Sequence, residues 1–164
     1  MSFARSFKHW IYSALPLSSV LSEEVLNSVE ASVADAETRT SAEFLVIIER
    51  TLPLSYTRED APSSLRAEDL FAKYRCWDTE DNNGVLLYIN LTDHAIELVV
   101  DRAAARVLSK EELDAVIGKL SLAFKTKDFA GGIDFALKTL SEKLSGAFPN
   151  KPVSDPLPNE PVVL

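Results

Sequence analysis

Two apolar stretches separated by a very short polar break constrain this fold most strongly. Residues 85–91 and 95–100 are rich in Val, Leu and Ile, which favour β-strands. The break at Thr92 and Asp93 is short enough to close a tight hairpin, so the two strands are predicted to be antiparallel. The start of the first strand and the finish of the second, at Asp101, therefore lie at the same end of the sheet.

A third apolar stretch extends this sheet. Residues 44–48 form a continuous apolar run between Glu43 and Glu49, which is typical of a strand covered on both faces, and we expect it to be the central strand. Apolar periodicity predicts a helix over 65–77, between this strand and the hairpin. A strand, helix, strand succession normally makes a right-handed crossover between parallel strands, so the predicted sheet is mixed.

Three further helices are predicted from caps and periodicity. Ser22 is a good N-cap for a helix that ends near Thr38. A capping box that begins at Ser109 opens the next helix. Residues 128–148 form the last one, whereas the segment 51–64 contains two prolines and is predicted to be a loop.

Composition bounds the class of protein. A chain of 164 residues that is 46% hydrophobic is predicted to form one globular domain with a sizeable core. Its net charge of −8 argues against nucleic acid as a partner, because phosphate binding needs clustered Lys and Arg. The single cysteine, Cys76, excludes an intramolecular disulfide and is predicted to be a packing residue. His9 and His94 are placed far from Asp101, so no catalytic triad is predicted.

The N-terminus carries basic residues before a short apolar run, which superficially resembles a signal peptide. The run is interrupted and lacks a small-residue cleavage site, so we expect it to belong to the mature protein. Phe3, Phe7, Trp10 and Ile11 recur at helical spacing, which fits either an interfacial segment or a terminal helix folded back on the domain. We favour the second, because core packing is the commoner fate of such a stripe. No stretch approaches the roughly 20 apolar residues of a transmembrane span.

These features divide the chain into an N-terminal amphipathic segment over 1–19, a domain over 20–148 and a proline-rich tail over 149–164. The prolines predict that the tail contains no regular structure. It is either disordered or an extended strap whose apolar end, residues 162–164, packs on the body.

Oxygen-bearing side chains gather at one end of the predicted sheet. They flank the strands at that end: Glu43, Asp78, Asp81, Asn82, Asn83 and Asp101. Carboxylate and amide oxygens suit hard divalent cations, and calcium (Ca²⁺) is preferred to magnesium (Mg²⁺), which demands tighter octahedral geometry and usually arrives with a phosphate. The alternative is that Asn82-Asn83-Gly84 merely turns the chain with residues that tolerate positive φ.

A set of motifs lies within about residues 20–147: Thr40-Ser41-Ala42-Glu43, Leu70-Phe71, Trp77, Asp81-Asn82-Asn83-Gly84-Val85-Leu86-Leu87-Tyr88, Asp101-Arg102 and the stretch from Phe124 through Asp128-Phe129 to Gly132. Together these motifs resemble the TPM domain family, which includes plant thylakoid and bacterial YgcG-like proteins. Residues 158–164 also look like the tail of a soluble bacterial branch of the family. Ala42 and Ala103 depart from the pattern, because glycine is common at both places.

The resemblance implies an α/β fold, specifically a three-layer α/β/α sandwich with a small mixed central sheet, and a divalent-cation site of acidic and amide residues. It also implies two kinds of function, since plant members have a proposed acid phosphatase activity and bacterial members often lie beside LemA-type membrane proteins. We expect a cytoplasmic interaction or accessory module that meets a membrane only through a partner. A metal-dependent acid phosphatase is the alternative; it needs a base or phosphate clamp, and Arg102 is the only basic residue near the predicted site in sequence.

Overall fold

A four-stranded mixed sheet forms the centre of the fold in a computed structural model that describes residues 3–13 and 21–164. The strands are β1 (Phe44–Glu49), β2 (Val85–Asn90), β3 (Ala95–Val100) and β4 (Val162–Val163). Their order is β3-β2-β1-β4. β1 runs parallel to β2 with Phe44 opposite Val85, and β2 runs antiparallel to β3 with Val85 opposite Val100. The predicted mixed sheet with an internal β1 is therefore confirmed.

Helices cover both faces of this sheet. They are α1 (Phe3–Ser13), α2 (Glu23–Glu37), α3 (Leu54–Arg58), α4 (Ser63–Lys73), α5 (Lys110–Lys125) and α6 (Phe129–Leu144). Alternate residues of β1 belong to different cores, because Val46 packs with α2, α5 and α6 whereas Ile47 packs with Ala67 and Leu70 of α4. This arrangement confirms the predicted α/β/α sandwich.

Helix caps explain why two of the helices begin where they do. The Ser22 hydroxyl accepts a hydrogen bond from the Val25 amide at the start of α2. Ser109 and Glu112 form a reciprocal capping box at the start of α5. Both caps satisfy amides that a helix leaves free at its N-terminus, and both were expected from sequence.

The segment predicted as a loop contains a short helix. Pro53 precedes α3 and Pro62 precedes α4, so each proline stands where its missing amide costs no intrahelical hydrogen bond. The prolines mark helix starts here, and the loop prediction over 51–64 was wrong for residues 54–58, which form α3, and for Ser63 and Ser64, which begin α4. The helix predicted over 65–77 ends at Lys73, and the one predicted over 128–148 ends at Leu144.

The N-terminal helix α1 folds back on the body, as expected, but through its polar face. His9 is buried; its Nδ1 accepts from the Leu52 amide at 2.9 Å, and its Nε2 lies 3.1 Å from Asp93 Oδ1. The apolar side chains of Phe7, Trp10 and Ile11 face outward, with Trp10 70% exposed. Residues 14–20 lie outside the described part of the chain. Within residues 3–13 and 21–164, no helix is both long enough and apolar enough to span a bilayer.

The C-terminal tail packs as an extended strap and ends in regular structure. β4 pairs in parallel with β1, with Val162 opposite Ile47. The Leu164 amide donates to the Ile48 carbonyl at 3.0 Å, and the Arg50 amide donates to the Leu164 carbonyl at 2.9 Å. Of the two alternatives for the tail, the structure therefore supports the strap, although the expectation that the prolines would exclude all regular structure was wrong.

Candidate functional site

Three chain segments are joined at the end of the sheet where β1 and β2 begin and β3 ends. The Val85 amide donates to the Glu43 carbonyl at 2.8 Å, which fixes the start of β2 beside the start of β1. The Asp101 amide donates to the Gly84 carbonyl at 2.9 Å, which continues the β2-β3 register by one residue. These contacts place Asn83 and Asp101 at the same end of the sheet, as predicted.

Asn83 and Asp101 each bury an oxygen atom that has no hydrogen-bond partner in the part of the chain that the structure describes. Asn83 is 1% exposed, and its Nδ2 donates to the Ser41 carbonyl at 3.0 Å, but its Oδ1 accepts nothing. Asp101 is 7% exposed; its Oδ1 accepts from the Arg102 amide at 2.7 Å, and its Oδ2 accepts nothing. Both orphaned atoms are acceptors, so the pair calls for a cation or a hydrogen-bond donor beyond those that residues 3–13 and 21–164 provide.

The opposite end of the sheet shows how this fold treats other buried polar groups. Glu49 accepts hydrogen bonds from two nitrogens of Arg66 and, at 2.6 Å, from the Tyr88 hydroxyl. The Tyr88 hydroxyl in turn accepts a hydrogen bond from Asn90 Nδ2 at 3.2 Å. Among the described residues, the buried side-chain nitrogens and oxygens without a partner are Asn83 Oδ1 and Asp101 Oδ2 alone. The deficit is therefore localised at the predicted site.

Glu43 and Asp81 lie at the same sheet end but contact the tail. Glu43 is buried, and its Oε2 accepts from the Leu157 amide at 2.9 Å. Asp81 Oδ2 lies 2.9 Å from Lys151 Nζ and accepts from the Ser41 hydroxyl at 3.3 Å. An open cavity of about 360 Å³ adjoins Asp81 and lies between it, Ser41 and the start of the tail.

The other two predicted residues are more peripheral. Asn82 Oδ1 accepts from Arg102 Nη2 at 3.0 Å, and Arg102 is largely exposed. Asp78 pairs with Arg75 at the surface. Within residues 3–13 and 21–164, no three His, Cys, Asp or Glu side chains come close enough to hold a metal ion by themselves. A cation here would need amide, carbonyl or water oxygens beside Asp101.

The turn before β2 is shaped by two different constraints. Asn82 has a φ of 52°, so a residue tolerant of the left-handed region does stand there, as the turn explanation expects. Gly84 has no positive φ; a Cβ atom at this position would lie 1.9 Å from the Cys76 carbonyl oxygen. Gly84 is required by close packing, and the turn geometry alone leaves the orphaned Asn83 oxygen unexplained.

Carboxylates around the site have raised pKa values. Burial is the main cause that raises the pKa of Glu37 to about 7; the negative charge of Glu43 adds to this, and a hydrogen bond from the Phe44 amide opposes it. Burial likewise raises the pKa of Glu43, with contributions from Asp155 and Asp81 and opposition from the Leu157 amide. Burial is therefore the main reason for the raised pKa of Glu43, and the neighbouring carboxylates add to it.

Comparison with known proteins supplies the family. A sequence profile described as the TPM domain matches residues 17–143. The chain belongs to the TPM domain family. No curated protein matches it significantly. This TPM domain is similar to the NMR structure of the BA42 protein from the psychrophilic bacterium Bizionia argentinensis, at 26% identity, with 91% of this chain and 99% of that chain covered and a TM-score of 0.77.

A second solved structure shares the fold. It is the N-terminal domain of a protein from P. gingivalis, at 17% identity, with 82% of each chain covered and a TM-score of 0.64.

Two alanines of this TPM domain, Ala42 and Ala103, stand where glycine is common in the family pattern. Neither has a positive φ, so alanine fits the backbone at both positions without strain.

Some residues of the site region were not found from sequence. Ser41 links Asn83 to Asp81 through its carbonyl and hydroxyl groups, and its place in the Thr40-Ser41-Ala42-Glu43 motif was the available signal. In the tail, Lys151 contacts Asp81 and Leu157 contacts Glu43. No local sequence pattern predicts these contacts. Cys76 is buried, as expected, and burial raises the pKa of its thiol to about 12, which makes it a poor nucleophile.

Proposed function

We propose that this TPM domain binds a divalent cation, Ca²⁺ in preference to Mg²⁺, and acts as an interaction or accessory module. The observation that carries the proposal is the pair of buried, partnerless oxygens on Asn83 and Asp101. A buried acceptor without a partner costs roughly 1–3 kcal/mol, and a buried carboxylate costs more. A cation between the two would offset both costs.

The donor chemistry supports a hard cation. An amide oxygen and a carboxylate oxygen are hard donors, which hard cations such as Ca²⁺ and Mg²⁺ prefer. Two side chains leave most of the coordination sphere to water and carbonyl oxygens. Ca²⁺ tolerates such irregular shells better than Mg²⁺ does.

The surroundings support a module better than an enzyme. Arg102 donates to Asn82, so the basic residue next to Asp101 in sequence already has a partner. A bound cation would instead order the loop before β2, whose Trp77 is 49% exposed. The partner we propose, a LemA-type membrane protein, rests on the family resemblance alone.

Thermal unfolding with and without Ca²⁺ tests the cation site. Wild type should gain stability, by about 2.7 kcal/mol when the free ion is at a hundred times its Kd, because the ion binds only the folded state. Asp101→Asn should lose that gain while its stability in chelator equals or exceeds that of wild type, since a buried unpaired charge is removed. Asp114→Ala, at an exposed carboxylate on α5, should keep the gain. Equal gains in wild type and Asp101→Asn would refute the site.

A phosphatase assay separates the two kinds of function. We expect no strong hydrolysis of phosphate monoesters with Ca²⁺, Mg²⁺ or Mn²⁺. Metal-dependent turnover that is present in wild type and absent in Asp101→Asn would establish the enzyme alternative.

A further inference from the structure

The tail, residues 149–164, is held at both of its ends and passes the candidate cation site in between. At its start, the Phe148 carbonyl accepts from the Ser41 amide at 3.1 Å and from the Thr40 hydroxyl at 2.6 Å. At its finish, β4 pairs with the edge of β1. Because β4 runs parallel to β1, the chain has to reach the site end of the sheet before it turns along that edge.

The middle of the tail places donors on the site's outer carboxylates. Lys151 Nζ lies 2.9 Å from Asp81 Oδ2 and 3.6 Å from Glu80 Oε1. The Leu157 amide donates a hydrogen bond to Glu43 Oε2 at 2.9 Å. A tethered ammonium and an amide hydrogen thus stand where carboxylates would otherwise meet a metal ion or its water.

A short chain of contacts links these carboxylates to the buried oxygens. The Ser41 hydroxyl donates to Asp81, and the Ser41 carbonyl accepts from the Asn83 amide group. Ser41 is also the residue whose own amide holds the start of the tail. One residue therefore contacts the tail, an outer carboxylate and an inner candidate ligand.

We propose that the tail regulates the cation site, with Lys151 acting as a tethered counter-ion on Asp81 whose positive charge opposes the binding of a divalent cation nearby. This inference rests on the proposed cation site and adds its regulation. Lys151 and Asp81 are both partly exposed, at 41% and 33%, so the pair is weak enough to exchange. By linkage, whatever weakens the contact between Lys151 and Asp81 tightens cation binding, and cation binding loosens the contact in return.

Calorimetric titration of Ca²⁺ into matched lysine variants tests the proposal. Lys151→Met should lower the Kd about fivefold, which is the scale of a half-exposed ion pair, and Lys151→Arg should stay near wild type. Lys143→Met is the control for net charge, because Lys143 is 38% exposed and pairs with Glu112 on α5 instead. It should bind as wild type does.

Amide hydrogen exchange in wild type gives a second readout that needs no variant. Ca²⁺ should speed exchange of the Leu157 amide, which the tail places on Glu43, and leave the Leu164 amide, which pairs with Ile48, unchanged. Ca²⁺ binding with equal Kd values in Lys151→Met and Lys143→Met, or with unchanged Leu157 exchange, would overturn the regulation and leave the cation site standing. No binding in any variant would overturn both.

Discussion

Asp101 has a buried carboxylate with few compensating contacts. Its carboxylate is almost fully buried, one oxygen is used by the Arg102 amide, and the other has no partner. Arg102 itself reaches outward to Asn82 and approaches the Asp101 carboxylate only at 4.0 Å. A buried charge with so little compensation is tolerated when a ligand completes it, which is the role we propose for the cation.

Gly84 provides a prediction at the same sheet end. Gly84→Ala should destabilise the fold by about 1–3 kcal/mol, because its Cβ would meet the Cys76 carbonyl oxygen at 1.9 Å and backbone would have to move. Urea unfolding measures this. Gly118→Ala is the matched control; nothing lies within 4 Å of its Cβ, and alanine at this helix position should stabilise by up to about 1 kcal/mol. If Gly84→Ala were as stable as wild type, the backbone around this turn would shift at little cost in free energy, which would contradict the prediction.

Glu37 predicts a pH dependence of stability. The pKa of Glu37 is about 7 in the folded protein, against the usual value of 4.5. As pH rises, Glu37 therefore loses its proton at a lower pH in the unfolded chain than in the folded protein, and the free energy of unfolding falls between about pH 4.5 and pH 7. Glu37→Gln keeps an acceptor for the Phe44 amide and should be more stable than wild type at pH 8, by about 1 kcal/mol after allowance for partial exposure, and equal to it at pH 4. Denaturant melts across pH, with exposed Glu30→Gln as control, check this. A constant difference across pH would contradict it.

At the scale of elements, α1 shows what sequence periodicity left out. The pattern correctly predicted a helix and its return to the body, but it assigned the apolar stripe to the interface. The structure docks the helix through Arg5 and His9 instead, and Arg5 Nη2 lies 2.8 Å from Asp93 Oδ2. Asp93 comes from the hairpin turn, so this contact depends on a distant residue that a local pattern does not contain.

This docking mode makes a direct prediction. Asp93→Ala should destabilise the fold by about 1–3 kcal/mol, because the buried His9 Nε2 hydrogen loses its acceptor. Trp10→Ser, at a side chain 70% exposed, should stay within about 0.5 kcal/mol of wild type. Chemical denaturation compares the two. A larger loss in Trp10→Ser would mean that the apolar stripe holds the helix.

The end of the sheet where β1 and β2 begin shows how much of the candidate site could be predicted from the sequence. The hairpin length and the crossover rule correctly brought Glu43, Asn83 and Asp101 to one end, because strand direction follows from local patterns. The tail contacts on Glu43 and Asp81 were not predictable, since they join residues more than 60 positions apart without a shared motif. For the same reason, only the structure separates the inner pair from peripheral Asp78.

The whole molecule has two chemically different ends. At one end of the sheet, Glu49, Arg66 and Tyr88 satisfy one another, and α1 is fixed through Asp93. At the other end, two buried oxygens lack partners and the tail crosses the neighbouring carboxylates. The family match to residues 17–143 includes the second end but stops before Lys151, so the proposed regulation belongs to the part of the chain outside the match.

An NMR titration of the ¹⁵N-labelled protein with Ca²⁺ tests the central claim most directly, and a chain of 18.1 kDa suits it well. We predict saturable shifts that are largest for the amides of Asn83, Gly84, Asp101 and Arg102, and that vanish in Asp101→Asn. Shifts confined to other acidic surfaces, such as Glu23 and Glu24 at the start of α2, or shifts at the sheet end that persist in Asp101→Asn, would contradict the cation site.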